Sequence, residues 1–413
     1  MQHTFLPLRM APLTALLFLL SACVSGVDYG PVPHGDYVAE PRCNPVSSNP
    51  QAMAGKEYFF ATTRLPDCRT PSITLTNKRT DRMRFGRFAE ATKAVNAKGN
   101  SQRVIPLAFE PETSWWDALG KRAGKNGRVL LYVHGYKERF PRTSRDTIQI
   151  ARLTEFEGPM VLYTWPSHGS VLSYAVDEAN MYWDERNFRR FLNKMAQQPW
   201  IKEIVLVSHS MGARLVLPAV DYVDRNSSSA DSSNISNIIL ASPDIDRQKF
   251  ERDIAEEVLS ARRVNNDRRL TVYVSAKDRA LETSRRIHGY PRLGTPYCFD
   301  PFRATELRQQ GRPERCYALE ATYDAPPAKK GMTIVDTTEV SDSNFGHSDF
   351  IQSAAVCADF KQVVKSGMRG ANPNRISTHL DYVFRLRPLE ETENSNLCMA
   401  GKKNKNRLEA EAD

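Results

Sequence analysis

Eight short apolar runs, separated by helical patterns or polar loops, constrain this chain more than any other feature. They are "EYFFATTR" (57–64), "RVIPLAF" (103–109), "RVLLYVHG" (128–135), "PMVLYTW" (159–165), "EIVLVSHS" (203–210), "ISNIILAS" (235–242), "LTVYVSA" (270–276) and "MTIVDTT" (332–338). Most are continuously apolar rather than alternating, as expected of strands covered by helices on both faces. Between them, Phe188, Phe191, Leu192 and Met195 recur at i, i+3, i+4 and i+7, making one buried stripe within 174–197. "DIDRQKFERDIAEEVL" (244–259) opens on acidic capping residues and carries Phe250, Ile254 and Val258 on one face. Alternation of this length predicts one α/β domain with a mostly parallel sheet and right-handed crossovers.

The two ends of the chain differ from this body. Residues 1–22 carry one cation, Arg9, then an apolar stretch from Met10 to Leu20, then small residues, which is the pattern of a secretory signal. The stretch is too short and wrongly flanked for a membrane span. Its end, "LSAC", resembles a bacterial lipoprotein processing site, which implies that Cys23 becomes a lipidated first residue. Val24 beside the anchor, rather than Asp, points to the outer membrane facing the periplasm. Residues 23–54 are rich in Pro, Gly and Ser and read as a tether; 55–388 read as the folded α/β domain; 389–413 read as a polar tail.

Cysteine usage agrees with export. Of seven cysteines, Cys23 is assigned to the lipid, leaving Cys43, Cys68, Cys298, Cys316, Cys357 and Cys398 as an even set for an oxidising compartment. Nearest-neighbour pairing gives 43–68, 298–316 and 357–398. No CxxC spacing occurs, so a structural zinc site is not expected and no metal is assigned. The net charge of +9 is spread over Arg262/Arg263, Arg268/Arg269, Arg285/Arg286 and a "KKNKNR" tail. A basic stripe marks nucleic acid or anionic lipid. No nucleic-acid recognition module accompanies it, so solvated surface arginines are the simpler account.

"VLVSHSMGARL" carries the chemistry. A β-branched run stops at Ser210, and the next helix starts at once, as a nucleophile turn requires. The positions two before and two after must be small, and here they are Ser208 and Gly212. A capping serine at an ordinary helix start is the competing account. The helix start adds N–H groups and partial positive charge where an oxyanion would form. Pro218 within that helix predicts a kink rather than a break.

Partners follow from chain order, nucleophile then acid then histidine. "YVHGY" (132–136) ends a strand, and the Tyr136 N–H is expected to pair with that of Met211 as an oxyanion hole. Asp278 lies in the loop after 270–276, and His347 follows the last strand. Ser210, His347 and Asp278 thus take the roles of nucleophile, base and orienting acid. Asp244 or Asp246 remains an alternative acid. Asp342 and Asp349 lie beside His347 but at the wrong stage of the chain. His288 follows Asp278 too closely, and His379 is less well placed. His134 and His209 read as loop-positioning groups; as metal ligands they lack companions.

"LLYVHGY", "LYTWPSHGS", "VLVSHSMGARL", "ILASPDIDRQKF", "YVSAKDRALETSRRIHGYPRLG" and "FGHSDF" together resemble a little-characterised bacterial branch of the α/β-hydrolase superfamily, over about residues 55–365. The resemblance implies an eight-stranded sheet with helices on both faces and a Ser–Asp–His triad at Ser210, Asp278 and His347. It implies no cofactor and no particular substrate. An esterase or lipase acting on membrane-borne acyl esters through an acyl-serine is the expected activity. A silent hydrolase fold used as an envelope scaffold, and an acyltransferase or peptidase with the same triad, are the alternatives. The loop 164–170 and the aromatic segment 180–188 serve either as a pocket wall or as core. The segment 295–317, with Cys298 and Cys316 near its ends, reads as a stapled loop near the site mouth.

Overall fold

Strand positions follow the apolar runs closely. The computed structural model describes residues 56–67, 74–95, 101–170, 173–226, 234–260, 267–320, 327–341, 345–366 and 372–389. The segments 1–22 and 23–54, with Cys23 and Cys43, lie outside the described residues, as do Cys68, Asp342, Cys398 and all but the first residue of the 389–413 tail. The strands are β1 (Tyr58–Asp67), β2 (Thr74–Phe88), β3 (Thr92–Val95), β4 (Ser101–Val104), β5 (Leu107–Glu110), β6 (Arg128–Val133), β7 (Met160–Thr164), β8 (Glu203–His209), β9 (Ile235–Ala241), β10 (Arg269–Val274), β11 (Met332–Asp336), β12 (Arg375–Ser377) and β13 (Val383–Leu386). The run 103–109 is split at Ile105–Pro106 between β4 and β5.

Among the described residues, the main sheet has eleven strands in the order β12-β13-β11-β10-β9-β8-β6-β7-β1-β2-β5. This corrects the expected count of eight. Every neighbouring pair from β13 through to β1 is parallel. Those eight strands are the parallel sheet the resemblance implied, and the remaining three, β12 at one edge and β2 and β5 at the other, are antiparallel additions. β2, "TLTNKRTDRMRFGRF", is largely polar and partly exposed, buried mainly through Leu75, Phe85 and Phe88. A charged outer strand blunts edge pairing and carries no apolar run to read.

Continuous burial explains the continuous apolarity. In β8, Ile204 and Leu206 enter one core, and Val205 and Val207 enter the other. The first core is closed by α1 (Glu112–Ala123), α3 (Tyr174–Ala196) and α4 (Ala213–Asn226), through Trp115, Phe188, Phe191 and Leu215. The second is closed by α2 (Phe140–Thr154) and α7 (Ala354–Ser366), through Ile150, Val356 and Phe360. Two further helices, α5 (Arg279–His288) and α6 (Pro301–Gln309), follow β10. α4 runs through Pro218 without a break. The helical segment 247–258 is capped by Asp246, which accepts from the Lys249 N–H at 3.0 Å, and it buries Phe250, Ile254 and Val258.

Cys298 and Cys316 form a disulfide across 18 positions, closing a loop that contains α6. Cys357 is also disulfide-bonded. Its expected partner, Cys398, lies outside the described residues. Replacing Cys298 and Cys316 together with serine should lower stability by about 3 kcal/mol, the chain-entropy value for a loop of this size. A denaturant titration of the two forms reads this directly.

Candidate active site

β8 ends at His209, and Ser210 turns with φ 52° into the short helical turn Ser210–Gly212 that leads into α4. Left-handed backbone is uncommon at a residue with a side chain and is held only where surroundings over-determine it. Two glycines allow that confinement. A Cβ on Gly135 would lie 2.7 Å from Ser210 Cβ, and one on Gly212 would lie 2.7 Å from the His134 carbonyl oxygen. The ends of β6 and β8 are therefore pressed together around Ser210. Gly135→Ala should lower turnover at least about 10²-fold, the scale of an ångström misplacement at a reacting centre. Steady-state kinetics alongside thermal melting would separate this from unfolding.

Asp278 ends the turn after β10 and caps α5, its Oδ1 accepting from the Leu281 N–H at 3.0 Å. The same buried carboxylate accepts from His347 Nδ1, at 2.8 Å to Oδ2 and 3.0 Å to Oδ1. The loop bearing His347 is fastened to that turn. The Arg279 N–H donates to the Phe345 carbonyl at 3.0 Å, and Gly346 adopts φ 66° so close to Lys277 that a Cβ would lie 2.9 Å from its carbonyl. Burial alone lowers the affinity of His347 for a proton, but the Asp278 charge and hydrogen bond outweigh it and hold the imidazole above its ordinary pKa.

His209, next to the nucleophile, reaches the same loop. Burial keeps its ring neutral, so its Nε2–H donates to the His347 carbonyl at 2.8 Å, and the two rings lie 4.7 Å apart between centroids. His347 Nε2 is buried and has no hydrogen-bond partner among the described residues. The Asp278–His347 half of the constellation is thus closed by direct bonds, whereas no hydrogen bond joins Ser210 to Nε2 in this state. Such bonds are often long in free enzymes and tighten with substrate.

The loop after β6 is held by a relay that sequence reasoning did not find. Arg64, fully buried in β1, donates from Nε to Thr164 Oγ1 at 2.8 Å, and Thr164 Oγ1 lies 3.2 Å from His134 Nε2. His134, also kept neutral by burial, bonds through Nδ1 to the Gly135 carbonyl at 2.7 Å. A trans peptide points its N–H opposite its carbonyl, so this bond sets the direction of the Tyr136 N–H. Arg64 also donates to the Glu138 carbonyl at 2.6 Å and to the Ser167 carbonyl at 3.1 Å. Burial lowers its pKa to about 10, so it stays charged at neutral pH. Buried Asp177 completes the cradle by accepting from the Lys137 N–H at 2.9 Å and from Ser167 Oγ at 2.6 Å. An arginine inside the apolar run 57–64 was the available hint.

The alternative acids are engaged elsewhere. Asp244 is buried between Arg214 and Arg292, which outweigh its desolvation and hold its carboxyl below the usual range. It also accepts from Tyr174 and Ser284 hydroxyls and bonds no histidine among the described residues. Its N–H donates to the Ser210 carbonyl at 3.0 Å, so the cluster supports the nucleophile turn from behind. Asp246 is the cap already described, and Asp349 begins the short helix Asp349–Gln352. His288 bonds Glu178 at 3.1 Å, and His379 contacts Arg312 at 2.7 Å. Trp165, Met181 and Phe188 are core rather than pocket wall, whereas Tyr182 is exposed and Trp183 is half-buried. Among the described residues, no group of three or more His, Cys, Asp or Glu is placed to hold a metal ion.

A family model described as an alpha/beta hydrolase of unknown function (DUF900) matches residues 111–366. The chain belongs to this family. The match spans Ser210, Asp278 and His347 and every helix labelled above. Among solved structures, the chain is similar to an alpha/beta hydrolase fold protein of unknown function at 14% identity, covering 69% of this chain and 89% of that one, with a TM-score of 0.24. It is also similar to a lipase-esterase related protein from Clostridium acetobutylicum ATCC 824 at 13% identity, covering 69% and 94%, with a TM-score of 0.23. Comparison with curated proteins finds no match. For this member of the DUF900 family, the α/β-hydrolase fold is therefore established by both sheet topology and family.

Proposed function

We propose that this DUF900 hydrolase cleaves acyl esters through an acyl-serine intermediate. The observation that carries the reading is the buried His347 ring, bonded through Nδ1 to both Asp278 oxygens while Nε2 is left unpaired at the sheet edge that bears Ser210. In the reaction, Ser210 Oγ attacks the ester carbonyl as His347 Nε2 takes its proton. The Met211 and Tyr136 N–H groups face the developing oxyanion. The tetrahedral intermediate collapses, and His347 returns the proton to the departing alkoxide. Water then enters, loses a proton to His347 and releases the acid, regenerating Ser210. The chemistry needs no cofactor.

A lipid ester is the substrate class we favour. The "LSAC" pattern before Val24 supports a chain held by lipid on Cys23 to the outer membrane, facing the periplasm, where acyl lipids are the abundant esters. Among the described residues, no helix is long and apolar enough to cross a membrane. Reaction with a fluorophosphonate, followed by mapping of the adduct, tests the mechanism. An adduct on the peptide containing Ser210, with turnover of nitrophenyl esters, is the expected result. Failure of both in a folded sample would favour a silent scaffold, and labelling without ester turnover would favour acyl transfer.

A further inference from the structure

Several large apolar side chains that follow β10 are exposed, among them Phe345, Ile287, Tyr290, Phe299 and Phe302. Phe345 stands two positions before His347 and is 63% exposed. Its carbonyl is bonded to the first residue of α5, Arg279. Along α5, Arg279, Thr283 and Arg286 recur at i, i+4 and i+7, all on the exposed face, with Ile287 beside them at 60% exposure. Gly289, with φ 79°, then turns the chain so that exposed Tyr290 stacks on exposed Phe299, 6.4 Å between centroids. Phe299 lies next to Cys298, so the disulfide loop holds it in place. Isolated exposed hydrophobics are ordinary, whereas Ile287, Tyr290 and Phe299 stand exposed at and just beyond the end of α5, with Tyr290 and Phe299 in ring contact.

Charge indicates what it contacts. Around these residues stand Lys277, Arg279, Arg285 and Arg286, against two carboxylates among the described residues: half-buried Glu282, which Arg285 and Arg286 share, and exposed Asp300, which accepts from the Phe302 N–H. Arg285 also lies over the Tyr297 ring, 4.1 Å from its centroid. Aromatic side chains with interleaved cations suit the boundary between anionic headgroups and acyl chains. The Arg285/Arg286 pair thus gains a role beyond solvation.

We infer that the strip from Phe345 along α5 to Phe299 docks this hydrolase on an anionic lipid surface. The inference rests on the proposed hydrolase site for its purpose, since α5 is capped by Asp278 and docking would bring the His347 loop to the acyl-chain boundary. The docking itself is measured without turnover. The full chain is reconstituted with vesicles of phosphatidylglycerol and phosphatidylethanolamine, or of phosphatidylcholine alone, and amide exchange over residues 286–302 is followed by mass spectrometry. Exchange there should slow about tenfold on the anionic vesicles only. The protection should vanish in Arg286→Glu and in a Tyr290→Ser/Phe299→Ser double variant, with exchange of β8 and β10 unchanged as the folding control.

Equal exchange on both vesicle types, protection that survives both variants, or protection that appears only when envelope proteins are added would each overturn the inference. Fluorophosphonate labelling keeps the two proposals apart. Labelled Ser210 without lipid-dependent protection leaves the hydrolase reading standing and removes the docking surface. Protection without labelling does the reverse.

Discussion

Ser210→Ala abolishes the fluorophosphonate adduct and lowers kcat for a nitrophenyl ester by about 10⁶-fold, the scale set by removing the nucleophile of a serine hydrolase. The protein should stay folded. Alanine removes one oxygen, and the left-handed backbone at φ 52° is imposed by the meeting of β6 and β8 rather than by the hydroxyl. Residual catalysis of about 10³ over water is expected from the oxyanion donors and substrate binding alone. A variant that keeps both adduct and turnover would transfer the nucleophile's role to another residue and remove the basis of the proposed mechanism. Intact-mass measurement decides between these outcomes in one experiment.

Asp278→Asn lowers kcat by about 10⁴-fold, because the amide N–H can donate to Nδ1 and so fix the tautomer of His347 that carries its proton on Nε2 and cannot accept from Ser210. The variant also changes the pH profile in a determinable direction. His347 must be neutral to accept the Ser210 proton, and Asp278 holds its pKa above the ordinary 6.5. Activity of the native enzyme therefore rises through a midpoint above 6.5. Without the carboxylate, burial is opposed only by the weaker influence of the Asp244 charge, and the midpoint moves to lower pH. Linkage has the same sign: the Asp278–His347 attraction stabilises the fold fully below pH 6.5, and this contribution is lost as pH rises through the raised pKa. Substitution at Asp244, whose charge raises the His347 pKa less than that of Asp278 and without a bond to the ring, should reduce stability and move the midpoint downward by less. A kcat/KM profile that is unchanged in Asp278→Asn would leave the acid unassigned.

Apolar strands and small-residue turns were legible before any coordinates because their causes are local. A strand buried on both faces must be continuously apolar, so seven of the parallel strands announced themselves, and the eighth, β13, did not because it has four residues. β2 was hidden by its charge, which solvent tolerates at an edge. Ser208 and Gly212 around Ser210 were readable because steric room is a property of residue type. Asp278 and His347 were proposed from chain order, and the structure joins them by direct hydrogen bonds. Arg64 was not legible as a support of Tyr136. Its partners are mostly backbone carbonyls and a hydroxyl contributed from up to 103 positions away, and carbonyls carry no residue-type signature. The Arg214–Asp244–Arg292 cluster was missed for a related reason: three charged residues on separate segments look like surface until the fold buries them together.

The fastening of the His347 loop to the Asp278 turn has a consequence for the life of the chain before it is complete. The nucleophile turn is synthesised well before that loop, and β13, which pairs with β11 just ahead of it, arrives later still. A nascent chain lacking these last elements has Ser210 but no base to activate it. Because such long-range pairings form late, hydrolytic power would be withheld throughout synthesis. Whatever surrounds the growing polypeptide would meet an inert thread and, only after completion, a finished site.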